Sequence, residues 1–229
     1  MSYPERADER EAMVREQIEA RGIRDQRVLE ALRRVPRHRF ALPGTDTQRA
    51  AYTDNAHSIG EEQTISQPFI VAQMTESLAL TGAERALEIG AGSGYQTAIL
   101  AELCREVIAI ERHASLAGRA GRVLAELGYT NAHLFVGDGS LGWPDSAPYD
   151  AILCAAVAPR VPTAFLAQLA PGGRLVLPVG PERGTQHLKV FTKDAAGAIR
   201  ERNMGGVAFV PLIGAAGFGL PEDLGGMDI

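Results

Sequence analysis

The run Glu88-Ile89-Gly90-Ala91-Gly92-Ser93-Gly94-Tyr95 stands between a short apolar segment, Arg85–Ile89, and an apolar stretch that reaches Leu103. Three alternating glycines in that setting let a chain leave a strand, turn tightly and enter a helix. The free N–H groups at the helix start then face whatever the turn holds. The βα unit this demands is followed by others. Residues 106–110, Ala132–Val136, Tyr149–Cys154 and 173–177 read as further strands, with helical segments over about 115–127 and 163–169. Alternation of this kind predicts right-handed crossovers and a mostly parallel sheet, which is the α/β class. Residues 188–192 and 207–213 come last with no helix between them, and are expected to close the sheet as an antiparallel edge.

Ahead of the glycine loop, residues 9–20 carry Met13, Val14 and Ile18 at helical spacing, with Gly22 as a stop. Asp25 can cap a second helix holding Val28, Leu29 and Leu32, ended by Pro36. Residues 41–64 show no period and read as loop with room for a short strand pair. Ser66 is placed as the N-cap of an apolar helix running to about Leu80, with Pro68 in its first turn. The 229 residues suit a single domain. Within it, 1–80 hold the N-terminal helices, 81–213 the α/β core, and 214–229 a glycine- and acid-rich tail expected to be partly disordered.

A net charge of −5 argues against nucleic acid as a standing partner, which needs a clustered basic surface. Arg33, Arg34, Arg37 and Arg39 do cluster, but acids surround them, and the segment reads as a solvated helix end. Cys104 and Cys154 sit in apolar segments without ligand spacing, so neither a metal site nor a disulfide framework is indicated. The first ten residues are polar and heavily charged, and no apolar run approaches the ~18 residues of a membrane span. The expectation is a cytoplasmic protein with two buried thiols and no membrane partner.

The loop reads GxGxG, with Tyr95 where the third glycine of a dinucleotide-binding GxGxxG would stand, and no Gly-Lys-Ser/Thr follows as a phosphate-binding loop requires. Glu111 closes the second strand, 21 positions after Gly90. A carboxylate there can accept both hydroxyls of a ribose, although a strand-end glutamate also serves as a solvated terminus. Asp138, in Gly137-Asp138-Gly139 after the third strand, can meet an adenine amino group. All three elements fall at strand C-terminal ends, where open α/β sheets bind ligands. The loop with an acid, Glu88, two places before Gly90 resembles motif I of the Rossmann-like methyltransferases. That resemblance implies S-adenosyl-L-methionine as methyl donor, S-adenosyl-L-homocysteine as product, and Glu88, Gly90, Gly92, Ser93, Gly94, Glu111, Asp138 and Gly139 as donor-binding residues.

A second resemblance is carried by Ser58-Ile59-Gly60-Glu61-Glu62-Gln63-Thr64-Ile65-Ser66-Gln67-Pro68, which is similar to the signature of the protein-L-isoaspartate O-methyltransferases. Val35-Pro36-Arg37-His38-Arg39-Phe40, residues 87–101, residues 172–180 and Phe209-Val210-Pro211-Leu212 resemble further family segments in the same order. The resemblance implies a Rossmann-like fold and methyl transfer to the α-carboxyl of L-isoaspartyl residues in damaged proteins or peptides. The ester then closes to a succinimide without the enzyme. It also implies Ser66 as the active-site serine, Gln63, Thr64, Ile65 and Ser66 along donor and acceptor, and Ile65, Ser66, Val210 and Leu212 at the peptide. A monomer is expected.

The chemistry needs no triad. A carboxylate is ionised near neutral pH, so no base is required to create the attacking oxygen. A serine hydroxyl suits the orienting of that carboxylate, but the sequence leaves it equally fit for capping the following helix. His38 and His57 have no visible partner with triad logic. Three positions depart from the family pattern: Glu62 adds a carboxylate beside the acceptor segment, Ala155 replaces a common threonine, and Ile213 replaces a polar residue. They keep open a relative that methylates another carboxylate, such as an aspartate of a dedicated peptide or a small acid. A third possibility is a donor-binding protein that acts through partners without catalysis.

Overall fold

The computed structural model describes residues 5–219. The chain opens on α1, Ala7–Ala12, which continues without a break through a π turn at Met13–Ile18 and a 3-10 turn at Glu19–Arg21. Gly22 ends it at φ 102°. Helix α2, Gln26–Arg34, begins where Asp25 accepts the N–H groups of Arg27 and Val28 at 2.9 and 3.4 Å. A short helix α3, Asp46–Arg49, precedes the antiparallel pair β1, His57–Gly60, and β2, Gln63–Ile65. Helix α4 then spans Pro68–Leu78.

The main sheet follows as β3 (Arg85–Ile89), α5 (Tyr95–Leu103), β4 (Glu106–Glu111), α6 (Ala114–Glu126), β5 (Ala132–Val136), β6 (Tyr149–Cys154), α7 (Thr163–Gln168), β7 (Leu169–Val179), β8 (Gln186–Lys193) and β9 (Ile199–Val207). Its order is β5-β4-β3-β6-β7-β8-β9. The first five strands are parallel, while β8 and β9 run antiparallel to their neighbours. The α/β class and the antiparallel C-terminal edge are as the sequence predicts. Strand order reverses between β3 and β6, and the crevice beyond their C-terminal ends is where this architecture binds ligands. Side chains alternate across β3: Leu87 and Ile89 join Ile108, Ile152, Phe165 and Leu175 on one face. Ala86 packs on the other, with Leu29, Met74 and Ile99 of α2, α4 and α5. Among the described residues no helix is long and apolar enough to cross a membrane.

Four expectations change. Ser66 does not cap α4: that helix starts at Pro68, and Gln67 occupies the cap position with no side-chain bond. The last strand is Ile199–Val207 rather than 207–213, because Asp194–Ala198 makes a tight hairpin. In it Asp194 Oδ1 accepts the N–H groups of Ala196 and Ala198, and Gly197 takes φ 86°. Residues 208–213 instead cross to the crevice, where Val157 donates to the Val210 carbonyl and Leu212 donates to that of Val157. The start of the tail is tied to the core, where the Ala215 and Ala216 N–H groups bond Asp138 and Ser140. The remainder of the tail, 220–229, lies outside the described residues. The arginine cluster is not uniformly solvated either. Arg33, Arg34 and Arg39 pair with Glu11 and Glu19, Glu102 and Glu126, whereas Arg37 is wholly buried.

The Asp25 cap offers a direct check, since Glu76 of α4 also accepts the Arg24 and Asp25 N–H groups at 2.7 and 2.8 Å. Asp25→Ala is expected to cost about 1 kcal/mol. In urea unfolding the midpoint should fall with an unchanged slope.

Candidate functional site

The turn after β3 is built on backbone. Gly90 and Ala91 donate to the Ile110 carbonyl at 2.9 and 3.1 Å, and Gly94 donates to that of Ala91. Gly90, Gly92 and Gly94 sit at φ 82°, 53° and 86°, a region that side chains disfavour. Their surroundings divide the work. A Cβ on Gly90 would meet Ala155 at 3.8 Å, while one on Gly94 would lie 3.0 Å from the Ala120 methyl of α6. Gly94 therefore lets the start of α5 lie close against α6, and it does not line the cleft.

Glu111 ends β4 and is almost wholly buried. Its two oxygens accept the Gly92 and His113 N–H groups, each at 2.8 Å. Each oxygen keeps lone pairs for a ligand diol. Gly139 faces the same space, and the Ile89 side chain, 2.7 Å from a hypothetical Cβ there, excludes any larger residue without movement. Asp138 does not point into the cleft. Its Oδ1 accepts Ser140 N–H at 2.9 Å and its Oδ2 accepts Ala215 N–H at 2.8 Å. Against the upward push of burial, these donors and the Ser140 hydroxyl hold its carboxyl below the usual range. The residues beside it, Gly137 and Gly139, line the cleft in its place.

The β1–β2 hairpin closes the cleft from the opposite side. Its turn passes through Glu61 and Glu62, both at positive φ, and Glu61 accepts the Ser115 hydroxyl at 2.6 Å. Glu62 is exposed and borders neither cavity described below. Ile59 is wholly buried and packs toward Gly92. Behind the hairpin, Arg37 Nη2 donates to the Ser66 carbonyl and Nε to that of Ala51, both at 2.7 Å. Its guanidinium lies 4.9 Å from the centre of the Tyr95 ring. Burial lowers this arginine to about 10, so it stays charged at neutral pH. His38 bonds the Tyr52 hydroxyl and His57 the Thr53 hydroxyl, and neither histidine lines a cavity.

The main cleft holds about 910 Å³ of space open to solvent. Of the sequence-derived candidates it brings together Gln63, Thr64, Ile65, Ser66, Glu88, Gly90, Gly92, Ser93, Glu111, Gly139, Val210 and Leu212. It adds Met74, Gln96, Arg112 and His113, which no motif marked. A second cavity of about 830 Å³ lies on the far side of Ser66, between Asp54–Ala56 and 206–210. Thr64, Ser66, Ala155 and Val210 border both spaces, so they form the neck between them.

The donor set fits a nucleoside with a charged tail. A carboxylate anchored by two N–H groups can accept ribose-like hydroxyls, glycines allow close approach, and a second buried carboxyl, Glu88, faces the same space. Among the described residues no group of three His, Cys, Asp or Glu side chains is placed to hold a metal ion.

Comparison with known proteins agrees with this geometry. Residues 8–217 match the family model for protein-L-isoaspartate(D-aspartate) O-methyltransferase (PCMT). The chain is 52% identical over 209 residues to protein-L-isoaspartate O-methyltransferase 1 of Syntrophobacter fumaroxidans, covering 91% of this chain and 96% of that one. It is 53% identical over 211 residues to the protein-L-isoaspartate O-methyltransferase of Trichlorobacter lovleyi, covering 92% and 96%. A solved protein-L-isoaspartate O-methyltransferase superposes with TM-score 0.78 at 28% identity, over 88% of this chain and 65% of that one. A Plasmodium falciparum structure of a related methyltransferase in complex with S-adenosyl-L-homocysteine shares the fold with TM-score 0.75 at 24% identity, over 89% and 97%.

The glycines give a paired test. Gly94→Ala combines positive φ with the Ala120 contact and is expected to cost about 1–3 kcal/mol. Gly118→Ala in α6, with open space around it, is expected to be neutral or to stabilise by up to about 1 kcal/mol. Thermal melts of the two variants should move in opposite directions or differ by several degrees.

Proposed function

This chain belongs to the protein-L-isoaspartate O-methyltransferase family, and we propose that it moves a methyl group across the neck at Ser66, from S-adenosyl-L-methionine in the main cleft to an L-isoaspartyl α-carboxylate in the second cavity. One observation carries this reading: Ser66 borders both spaces while its hydroxyl is not spent on capping α4. When bound, the donor supplies an electrophilic methyl on a sulfonium whose charge disappears on transfer, leaving S-adenosyl-L-homocysteine.

The protein's part is arrangement. Gly90 and Gly92 admit the donor closely, and Glu111 accepts hydroxyls on one side of it. Ser93 and Gln63 to Ile65 line its path to the neck. The acceptor carboxylate arrives already ionised, so no residue need remove a proton. Ser66 donates a hydrogen bond that turns one oxygen toward the methyl, and Val210 and Leu212 keep water from the approach. Arg37, bonded to the Ser66 carbonyl, fixes the backbone from which that hydroxyl projects.

The finer reading is of one functional unit that works as a monomer in the cytoplasm and binds no nucleic acid. Its support is the net charge of −5 and two buried free thiols. Ala155 borders the neck, which leaves Ser66 and Thr64 as its hydroxyl-bearing side chains and gives the alternative acceptor its specific test.

That test uses labelled S-adenosyl-L-methionine and peptide pairs differing only in isoaspartate or aspartate. Labelling of the isoaspartyl member alone is expected. Labelling of the aspartyl member, or of neither by protein that still binds the donor, would redirect the assignment to another carboxylate. Ser66→Ala is expected to lower transfer by about tenfold to a hundredfold, the worth of a hydrogen bond to a charged group. Its stability should stay within about 0.5 kcal/mol of the wild type, because no cap is lost.

A further inference from the structure

Glu88 shares its face of β3 with Ala86, a register position that packs into the core beneath α4 and α5. A carboxyl there is wholly buried, yet it lines the main cleft. Neither of its oxygens makes a hydrogen bond of full geometry among the described residues, and the Thr97 hydroxyl is the donor that still acts on it. Its surroundings bring no cation to it. On one side β4 contributes the acid Glu111, and on the other β6 places the apolar Leu153 opposite Glu88 in register. Helix α5 brings the buried Thr97 hydroxyl, and α4 brings Val71 and Met74 to the same cleft. Arg112 and His113, next to Glu111 in sequence, also line the cleft, and neither is among the groups that act on the Glu88 carboxyl. An ionised carboxylate left like this is costly, and the group answers by holding its proton. Burial pushes the carboxyl up to about 8, with Thr97 opposing and Glu111 adding.

We propose that Glu88 makes the cleft a detector of positive charge: it is protonated when no cation is present and releases that proton to solvent as the cationic methyl donor enters. The carboxylate so formed balances the ligand's charge inside the protein, which a neutral nucleoside cannot exploit. This deepens the donor assignment of the main cleft and rests on it.

The sign of the pH dependence follows. Below about 8 the proton must be displaced, so donor affinity rises with pH by up to about tenfold per unit and levels above that value. Without ligand the folded state holds a proton that the unfolded chain, near 4.5, gives up. Stability from Glu88 is therefore complete at low pH and is lost as pH rises through about 8.

Calorimetric titration of the wild-type protein with S-adenosyl-L-methionine near pH 7, in buffers of different ionisation enthalpy, tests this without any turnover. Release of close to one proton per donor is expected, with none on titration with adenosine. Glu88→Gln keeps the shape of the protonated side chain and should bind the donor with no proton release and a flat pH profile. Its ligand-free melting temperature should also lose the wild type's decline toward pH 8. Donor binding without proton release, equal release in Glu88→Gln, or release on adenosine binding would each overturn the proposal. If the donor does not bind at all, the donor assignment falls and takes this inference with it. If isoaspartyl transfer fails while proton-linked binding persists, only the acceptor reading falls.

Discussion

The buried guanidinium of Arg37 joins parts of the chain that would otherwise meet only by packing. From a single side chain it bonds the carbonyl of Ala51, which precedes the hairpin, and that of Ser66, which follows it, and it lies against Tyr95 at the start of α5. A wholly buried charge without a carboxylate partner is expensive, and Arg37 still has one nitrogen, Nη1, without a hydrogen bond. What offsets the cost is two good hydrogen bonds and an aromatic face, and what results is geometry. The glycine turn leads into Tyr95, and the neck between the cavities includes Ser66. Both are referred to one rigid group, so the donor loop and the acceptor segment cannot drift independently.

The sequence exposed what depends on local backbone demand. The three glycines, the alternating strands and the acid at the end of β4 each follow from short-range rules, and the main cleft gathers them. Non-local competition decided the rest. Ser66 carries the composition of an N-cap, but Pro68 fits the first helical position, which moves the cap to Gln67. Asp138 has the right type for a ligand contact, but the N–H groups of Ala215 and Ser140 reach it first, and the donor of Ala215 lies 77 residues away. Residues 207–213 have strand composition, yet the Asp194 hairpin had already supplied β8 with its partner. Arg37 is the plainest case. Nothing in a run of arginines distinguishes the one that is buried, because its partners are backbone carbonyls and leave no mark in residue identity.

Polar groups in the two spaces are distributed unevenly, and the difference matches the reaction. Glu88 and Glu111 face the main cleft. Among the described residues no lysine, arginine or histidine borders the second cavity, and the one acid there, Asp54, is paired with Arg21 at 3.0 Å. Instead a cation stands behind the neck: Arg37 is charged and has no acidic partner among the described residues. Its field reaches the hairpin, where His57 is held below its ordinary range by burial and then by Arg37. An anion at Ser66 therefore gains from a fixed positive charge without a direct ion pair to break. A cation in the main cleft gains from the acids on its own side.

Methyl transfer from a sulfonium to a carboxylate removes both charges in one step. Such a reaction is slowed by any environment that stabilises the separated charges more than the transition state between them. A direct salt bridge to the acceptor would do that, since it would be strongest before transfer and would have to be given up. Arg37 bonds the Ser66 carbonyl and not the cavity itself, so in the proposed reaction it would act through that backbone. Ser66 would then offer a neutral hydroxyl, which orients an oxygen without binding it as an ion pair would. The neck follows the same rule. Thr64, Ser66, Ala155 and Val210 carry no formal charge, so in the proposed reaction the reacting atoms would meet between two fields rather than inside either. The departure at Ala155 preserves that property, since exchanging a threonine for an alanine changes hydrogen bonding at the neck but leaves its charge at zero.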